Sequence, residues 1–239
     1  MNSDIYLEML GITRYKLKSN KLDNHNTSNI NNSSEISSQF KNNNTKINII
    51  NINTADNLDN LNELVNACMK CNLYKNRKHA VLGKYTTLDL AANIDCLVVG
   101  EAPKDLEDEL NLPFAGEVDV LLTKMLQSIN LNNVYITNVI KCKTNFEKPN
   151  FEQLSHCEPY LFKQISILKP KSILALGKVA AQTLISPNAS LADIHGKIYN
   201  LYGTKIIATY HPRYLLANPE YKRKAWGDLL VLKSLLNQN

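Results

Sequence analysis

Apolar positions along this chain follow two different periods. Near-continuous apolar runs occur at 94–99, 134–140, 172–176 and 204–210. Each is short and bounded by Gly, Asn or Pro, the form taken by strands buried on both faces. Between the runs the spacing becomes helical. Leu58, Leu61, Leu64, Val65 and Cys68 predict a helix over 58–71. Val118, Leu121, Leu122, Met125, Leu126 and Ile129 predict another over 118–129. Further helices are predicted at 151–168, where Lys169-Pro170 supplies the stop, at 178–185, and from Asn218 to Leu236.

Strands alternating with helices predict an α/β fold: a three-layer α/β/α arrangement around a central four-stranded parallel sheet. Such sheets bind ligands beyond the carboxyl ends of their strands. Glu101, Asn138 and His211 fall at or near three of those ends, far apart in sequence. The stretch 100–116 is a long connection for a compact domain, and it carries Glu101, Pro103, Glu107, Asp108, Pro113 and Phe114. Connections of that length and composition are often functional.

The N-terminal part reads differently. Ile5, Tyr6, Met9 and Leu10 predict a short helix over 1–18, a candidate docking element for a protein partner. Residues 19–56 are rich in Asn, Ser and Lys and predict a disordered linker, because they offer too little apolar surface to offset ordering entropy. The folded domain is expected over 57–239.

Composition narrows the class. The net charge is +5, compatible with a polyanionic partner and with an ordinary basic surface. No stretch has the length and apolarity of a membrane span, and no signal segment is evident, so a cytoplasmic protein is expected. In a reducing compartment, five cysteines suggest a metal or redox site rather than disulfides. Cys68-x2-Cys71 with Cys142 and Cys157 supplies four thiolates, suited to an iron–sulfur cluster or to tetrahedral zinc, unless the four are unrelated. Cys96 lies within a strand and reads as a small buried hydrophobe.

These pieces together resemble the family 4 uracil-DNA glycosylases, the iron–sulfur branch of that superfamily. The resemblance covers roughly 64–235. It is carried by Cys68-x2-Cys71, Gly100-Glu101-Ala102-Pro103, Leu112-Pro113-Phe114-Ala115-Gly116, the run from Tyr135 to Cys142, Cys157-Glu158-Pro159-Tyr160-Leu161, Leu176-Gly177 and Thr209-Tyr210-His211-Pro212. It implies a hydrolase of the uracil N-glycosidic bond, acting on an extruded base in base-excision repair. It implies a [4Fe–4S] cluster on Cys68, Cys71, Cys142 and Cys157. Phe114 would stack on uracil, Asn138 would read its polar edge, and His211 would donate to the oxygen that gains charge. Glu101, preferred over Glu107, would position water or stabilise the cationic sugar. Backbone groups of Gly100 and Ala102 would complete the pocket. Arg213-Tyr214-Leu215-Leu216 resembles an apolar wedge that fills the vacated stack. Uracil-containing DNA, single- or double-stranded, is the implied partner of a monomeric enzyme.

Singly, each residue has a plain structural reading: Glu101 as a cap, Phe114 as core, Asn138 in an Asx-turn, His211 as a satisfied histidine. Their joint placement favours a site. Lys141, Lys143, Lys222, Arg223 and Lys224 are candidates for phosphate contact or for solvated surface. The chain also departs from the family pattern, with Lys104 where Gly is usual, Val118-Asp119 for small residues, His195-Gly196 for Arg-Gly, and Lys148 for Arg. These departures keep a second expectation in view: a catalytically impaired iron–sulfur DNA-binding protein of the same fold. A zinc-bound structural protein is a third.

Overall fold

The computed structural model describes residues 52–87, 94–145 and 147–237. The helix expected at 1–18 and nearly all of the expected linker lie outside the described residues. Where the two overlap, Ile52–Thr54 forms a 3-10 turn and Ala55 is fully buried, so the folded body starts ahead of Asn57.

The elements are α1 (Leu58–Asn66), β1 (Lys84–Tyr85), β2 (Cys96–Gly100), α2 (Asp105–Leu110), α3 (Gly116–Ser128), β3 (Val134–Asn138), α4 (Phe151–Leu168), β4 (Ser172–Leu176), α5 (Gly177–Leu184), α6 (Leu191–Ile194), β5 (Ile198–Leu201), β6 (Thr204–Thr209), α7 (Pro212–Ala217) and α8 (Lys222–Leu236). The sheet order is β1-β3-β2-β4-β6-β5. Its central strands β3, β2, β4 and β6 are mutually parallel, as expected. The strand count is corrected from four to six, because antiparallel strands close both edges. Neither edge strand carries a long apolar run. β1 has two residues, and β5 alternates exposed with half-buried positions. The β5–β6 hairpin turns at Tyr202-Gly203, both at positive φ (50° and 91°), as a type I′ turn requires.

Every residue of β2, β3 and β4 is buried, and successive side chains serve opposite layers. Cys96, Val98, Leu174, Leu176 and Ile207 pack with Val118, Leu122 and Met125 of α3 and with Leu229 and Leu232 of α8. Leu97, Val99, Ile173, Ala175 and Ile206 pack with Leu161 of α4 and with Ala180 and Leu184 of α5. This is the three-layer arrangement the alternation predicts. A third apolar cluster joins α1 to α4 through Leu61, Val65, Cys157 and Tyr160.

α4 occupies its expected span. Asn150 and Gln153 cap its start reciprocally, and Lys169 ends it in the left-handed region (φ 43°) before Pro170. α1 stops at Asn66, short of the expected 71, where Arg77 Nη2 satisfies the Asn66 carbonyl at 2.5 Å. The last expected helix reaches Leu236 as α8 but opens with a 3-10 turn at Pro219–Tyr221, and α7, ahead of that turn, is a helix the periodicity does not announce. The long connection after β2 contains α2, which apolar periodicity does not announce, because its buried residues are Glu107 and Asp108.

Candidate active site

The parallel register sets Gly100 beside Asn138. Pairing continues past both strand ends, with Val139 N donating to Gly100 O and Ile140 N to Glu101 O, each at 3.0 Å. A Cβ at Gly100 would collide with Asn138 Oδ1 and with the Phe114 ring, so glycine is required for these groups to meet. Asn138 Nδ2 donates to Pro113 O at 2.8 Å, which ties the strand end to the segment bearing Phe114. Phe114 stacks on His211, with centroids 5.4 Å apart and planes at 21°. On the neighbouring strand pair, Leu176 aligns with Thr209, and Gly177 at φ +84° lies against His211 Cβ. Gly100, Phe114, Asn138 and His211 therefore share one locus at the carboxyl edge of the sheet. Phe114 and Asn138 are only 2% and 1% exposed.

His211 caps α7, and its Nδ1 accepts from Arg213 N at 3.1 Å. A nitrogen accepting a hydrogen bond carries no proton, so the neutral ring holds its proton on Nε2. Burial pushes the imidazolium down to about 3, with further lowering from Arg213 and Lys104. The ring is a neutral donor across the physiological range.

The two candidate carboxylates differ in their engagements. Glu107 is buried, takes Arg213 Nη2 at 2.9 Å and receives Lys104 N at 3.2 Å. It straps α2 to α7. Glu101 is partly exposed, and Lys104 Nζ lies 3.8 Å from it. Lys104, the departure from Gly, is nearly buried and donates to Thr144 Oγ1 at 2.7 Å. Burial lowers its ammonium pKa, against the opposing pull of Glu101. Asp108 accepts from Lys78 N and His79 N at 2.8–3.0 Å, so it anchors the preceding segment. Ala102 belongs to the apolar cluster of Ile140, Cys157 and Tyr160.

The wedge expectation narrows to two side chains. Leu215 is core, while Tyr214 and Leu216 are 43% and 37% exposed. Among the candidate phosphate contacts, Lys141 is corrected: it is buried, with its Nζ enclosed by Thr137, Asn138 and Gln164. Lys143 pairs with Asp105 and Asp108 at 3.2 and 3.7 Å. Lys222, Arg223 and Lys224 remain exposed on α8. Asp119 pairs with Lys84 at 3.1 Å, and His195 Nδ1 lies 2.9 Å from Asp228 Oδ1.

Cys68, Cys71, Cys142 and Cys157 line a single cavity with Lys70, Tyr74 and His156. Arg77 Nη1 donates to Cys142 Sγ at 3.0 Å, and Lys141 N donates to Cys157 Sγ at 3.2 Å. Burial raises the thiol pKa values of Cys71 and Cys142, and pushes Cys157 up to about 12. His156 Nδ1 is buried there without a hydrogen-bond partner among the described residues. Buried soft sulfurs with N–H donors already aimed at two of them suit a soft, positively charged metal group. Cys96 is elsewhere, fully buried in β2, as expected of a small hydrophobe.

Sequence reasoning missed two engagements here. The Arg213–Glu107 strap has a partial signal, since Glu107 stands at the third position of a helix that starts after Lys104. The enclosure of Lys141 has none, because a lysine's side-chain partners are not written in its neighbours.

Comparison with known proteins agrees with this geometry. The family model for the uracil DNA glycosylase superfamily matches residues 89–230. A type-4 uracil-DNA glycosylase of Pyrobaculum aerophilum is 38% identical over 185 residues, which is 73% of this chain and 92% of that protein. Type-4 uracil-DNA glycosylases of Saccharolobus solfataricus and Archaeoglobus fulgidus are each 34% identical, over 76% and 75% of this chain and 88% and 94% of their own length. On motif order, sheet topology and these similarities, the chain belongs to the uracil-DNA glycosylase superfamily, in its type-4 branch.

Proposed function

We propose that this uracil-DNA glycosylase, a hydrolase of DNA repair, acts on a uracil nucleotide extruded from its strand, through Glu101, Phe114, Asn138 and His211. Asn138 offers a carboxamide acceptor and a remaining N–H to the imide edge of uracil, a pairing cytosine does not reproduce. Phe114 supplies the apolar surface for the base. As the bond from C1′ to N1 breaks, its electron pair leaves with the base, and negative charge develops on the uracil oxygen. The Nε2–H of neutral His211 meets that charge without giving up a proton. Glu101, the less engaged carboxylate, holds the water whose oxygen bonds to C1′ and offsets positive charge on the sugar. Glu101 takes the proton that the water sheds, the departing uracil anion takes one from solvent, and free uracil and an abasic sugar are the products. The backbone of Gly100 and Ala102 completes the walls.

The observation that carries this reading is the neutral, Nε2-protonated His211 packed at the same strand edge as Asn138 and Phe114. Incubation of the pure protein with a labelled uracil oligonucleotide, single- and double-stranded, tests it. Alkali-labile abasic sites are the expected product, and intact strands from a folded protein would refute it. The impaired-binder alternative rests on Lys104 and Asp119. Asp119 is committed to Lys84, and neither departure replaces Glu101, Asn138 or His211.

A [4Fe–4S] cluster on Cys68, Cys71, Cys142 and Cys157 is part of the proposal. The shared cavity and the donors on two sulfurs support it. Tetrahedral zinc, with bonds of about 2.3 Å, needs its sulfurs within about 4 Å of one another. No group of three or more His, Cys, Asp or Glu among the described residues is arranged to hold a metal ion; the cluster reading rests on the shared cavity and the N–H donors alone. When bound, the cluster ties segments remote in sequence and places a metal charge beside them. A monomeric, cytoplasmic enzyme completes the proposal, and gel filtration checks the first of these.

A further inference from the structure

Lys141 is the least exposed charged side chain among the described residues, and the chemistry above does not use it. Its N–H donates to Cys157 Sγ at 3.2 Å, and Cys142 follows it in the chain. Its side chain folds back along β3. There Nζ donates to Asn138 O at 2.6 Å, Thr137 Oγ1 at 2.8 Å and Gln164 Oε1 at 2.6 Å. Those three bonds use all three protons of an ammonium. Gln164 lies on α4, the helix that carries Cys157. Thr137 and Gln164 both donate onward to Leu82 O, at 2.5 and 2.9 Å. Lys141 O accepts from Val81 N at 2.8 Å. One residue thus touches the cysteine centre through its main chain and the base-reading residue through its side chain.

Among the described residues no carboxylate forms an ion pair with this ammonium. The ionisable groups beside it are the thiols of Cys157, whose Sγ accepts from Lys141 N, and of Cys142, the next residue. A buried cation without an opposite charge is strongly disfavoured. Metal-bound thiolates are anionic, whereas free thiols are not.

We propose that Lys141 is a positioning residue that ties Asn138 to the four-cysteine centre, its ammonium balanced by the charge of the ligated thiolates. The inference rests on the cluster reading above. The centre then does more than join segments: it secures the lysine that fixes the Asn138 carbonyl, and through it the carboxamide over Gly100.

Lys141→Met keeps the volume and removes the charge. With iron content equal to wild type, its cluster potential is expected to move negative, since a neighbouring positive charge is gone. Single-turnover excision is expected to fall about tenfold, the scale for partners that orient a site residue. Affinity for uracil-containing DNA should not change. Thr137→Val removes one acceptor and no charge; it is expected to slow excision about threefold, one neutral hydrogen bond, at unchanged potential. An iron-loaded Lys141→Met variant with wild-type potential and wild-type single-turnover rate overturns the inference. Should that variant fail to fold, Thr137→Val decides, and wild-type excision by it overturns the inference. Wild-type protein without iron overturns the cluster reading instead, before any variant is made.

Discussion

The proposed uracil pocket and the four-cysteine cavity are held by different means. The pocket hangs from strand ends: Gly100 and Asn138 are register partners, and Thr209, two residues before His211, is paired with Leu176. Backbone hydrogen bonds therefore place its groups whether or not a base is present. The cysteine centre has no such frame. Cys68 and Cys71 follow the end of α1, Cys142 lies beyond β3, and only Cys157 sits within a helix. Three of its four thiols come from loops and one from a helix, and burial holds three of the four above their ordinary pKa. The lesson is that a site can be preorganised by the sheet or completed by what it binds. On the proposed reading this chain uses both, the first for Gly100, Asn138 and His211 and the second for the cysteines.

Several measurements sharpen that contrast. The largest effect is expected from Asn138→Ala and His211→Leu, which should lower single-turnover excision at least a hundredfold, as removal of a charge-stabilising donor does. Their thermal midpoints should fall by only a few degrees, for the lost bond to Pro113 O and the lost cap on α7; a collapse of the midpoint would mean that these side chains chiefly support the fold instead. Next comes removal of the proposed cluster by chelation with oxidant. The cross-link lost is comparable to a disulfide, about 3 kcal/mol, and should lower the thermal midpoint by about 10 °C. Proteolysis should then open the segments around Cys71 and Cys142 before it reaches the sheet. Simultaneous loss of the sheet would erase the distinction between the two supports. Arg213→Met removes the strap between α2 and α7 and leaves the buried Glu107 carboxylate without its cation. A loss of about 2 kcal/mol is expected for an unpaired, hydrogen-bonded charge, read as a shift in urea midpoint. Tyr214→Ala and Leu216→Ala should weaken excision from duplex DNA about threefold, as loss of modest apolar contact does. Single-stranded excision should not change.

The smallest effect is a pH dependence that should be absent. The folded pKa of His211, about 3, lies below its ordinary 6.5. Between those values the unfolded chain binds the extra proton, so stability rises with pH across that window. It is complete above 6.5 and is lost as pH falls toward 3. Excision should accordingly show no titration centred near 6.5. A midpoint there would mean that His211 carries a full charge in the working enzyme.

The four central strands and α4 were legible because their signals are local: continuous apolar runs, a capping pair at Asn150 and Gln153, a stop at Lys169-Pro170. α2 was not, because acids that look solvated are its buried face, held by partners some thirty to a hundred residues away. β5 was not, because an edge strand needs only one apolar side. Within the site, residue types at strand ends pointed to Glu101, Asn138 and His211, since parallel topology brings such ends together, while Phe114 was pointed to by the family resemblance. What each side chain holds is a three-dimensional fact. Lys141 looked like a surface cation beside Lys143, yet its partners come from β3 and α4.

The stacked pair of Phe114 and His211 has a bearing on how a nucleotide gains admission. A planar base sandwiched by two rings needs about 7 Å between them, one van der Waals layer on each side. The two centroids stand 5.4 Å apart. Phe114 is only 2% exposed, so for uracil to stack on it as proposed α7 must tilt away and carry the imidazole with it. Because Arg213 clasps Glu107 from that same short helix, the tilt also strains or releases the clasp. Lesion capture and the unlatching of one ion pair would then be a single event.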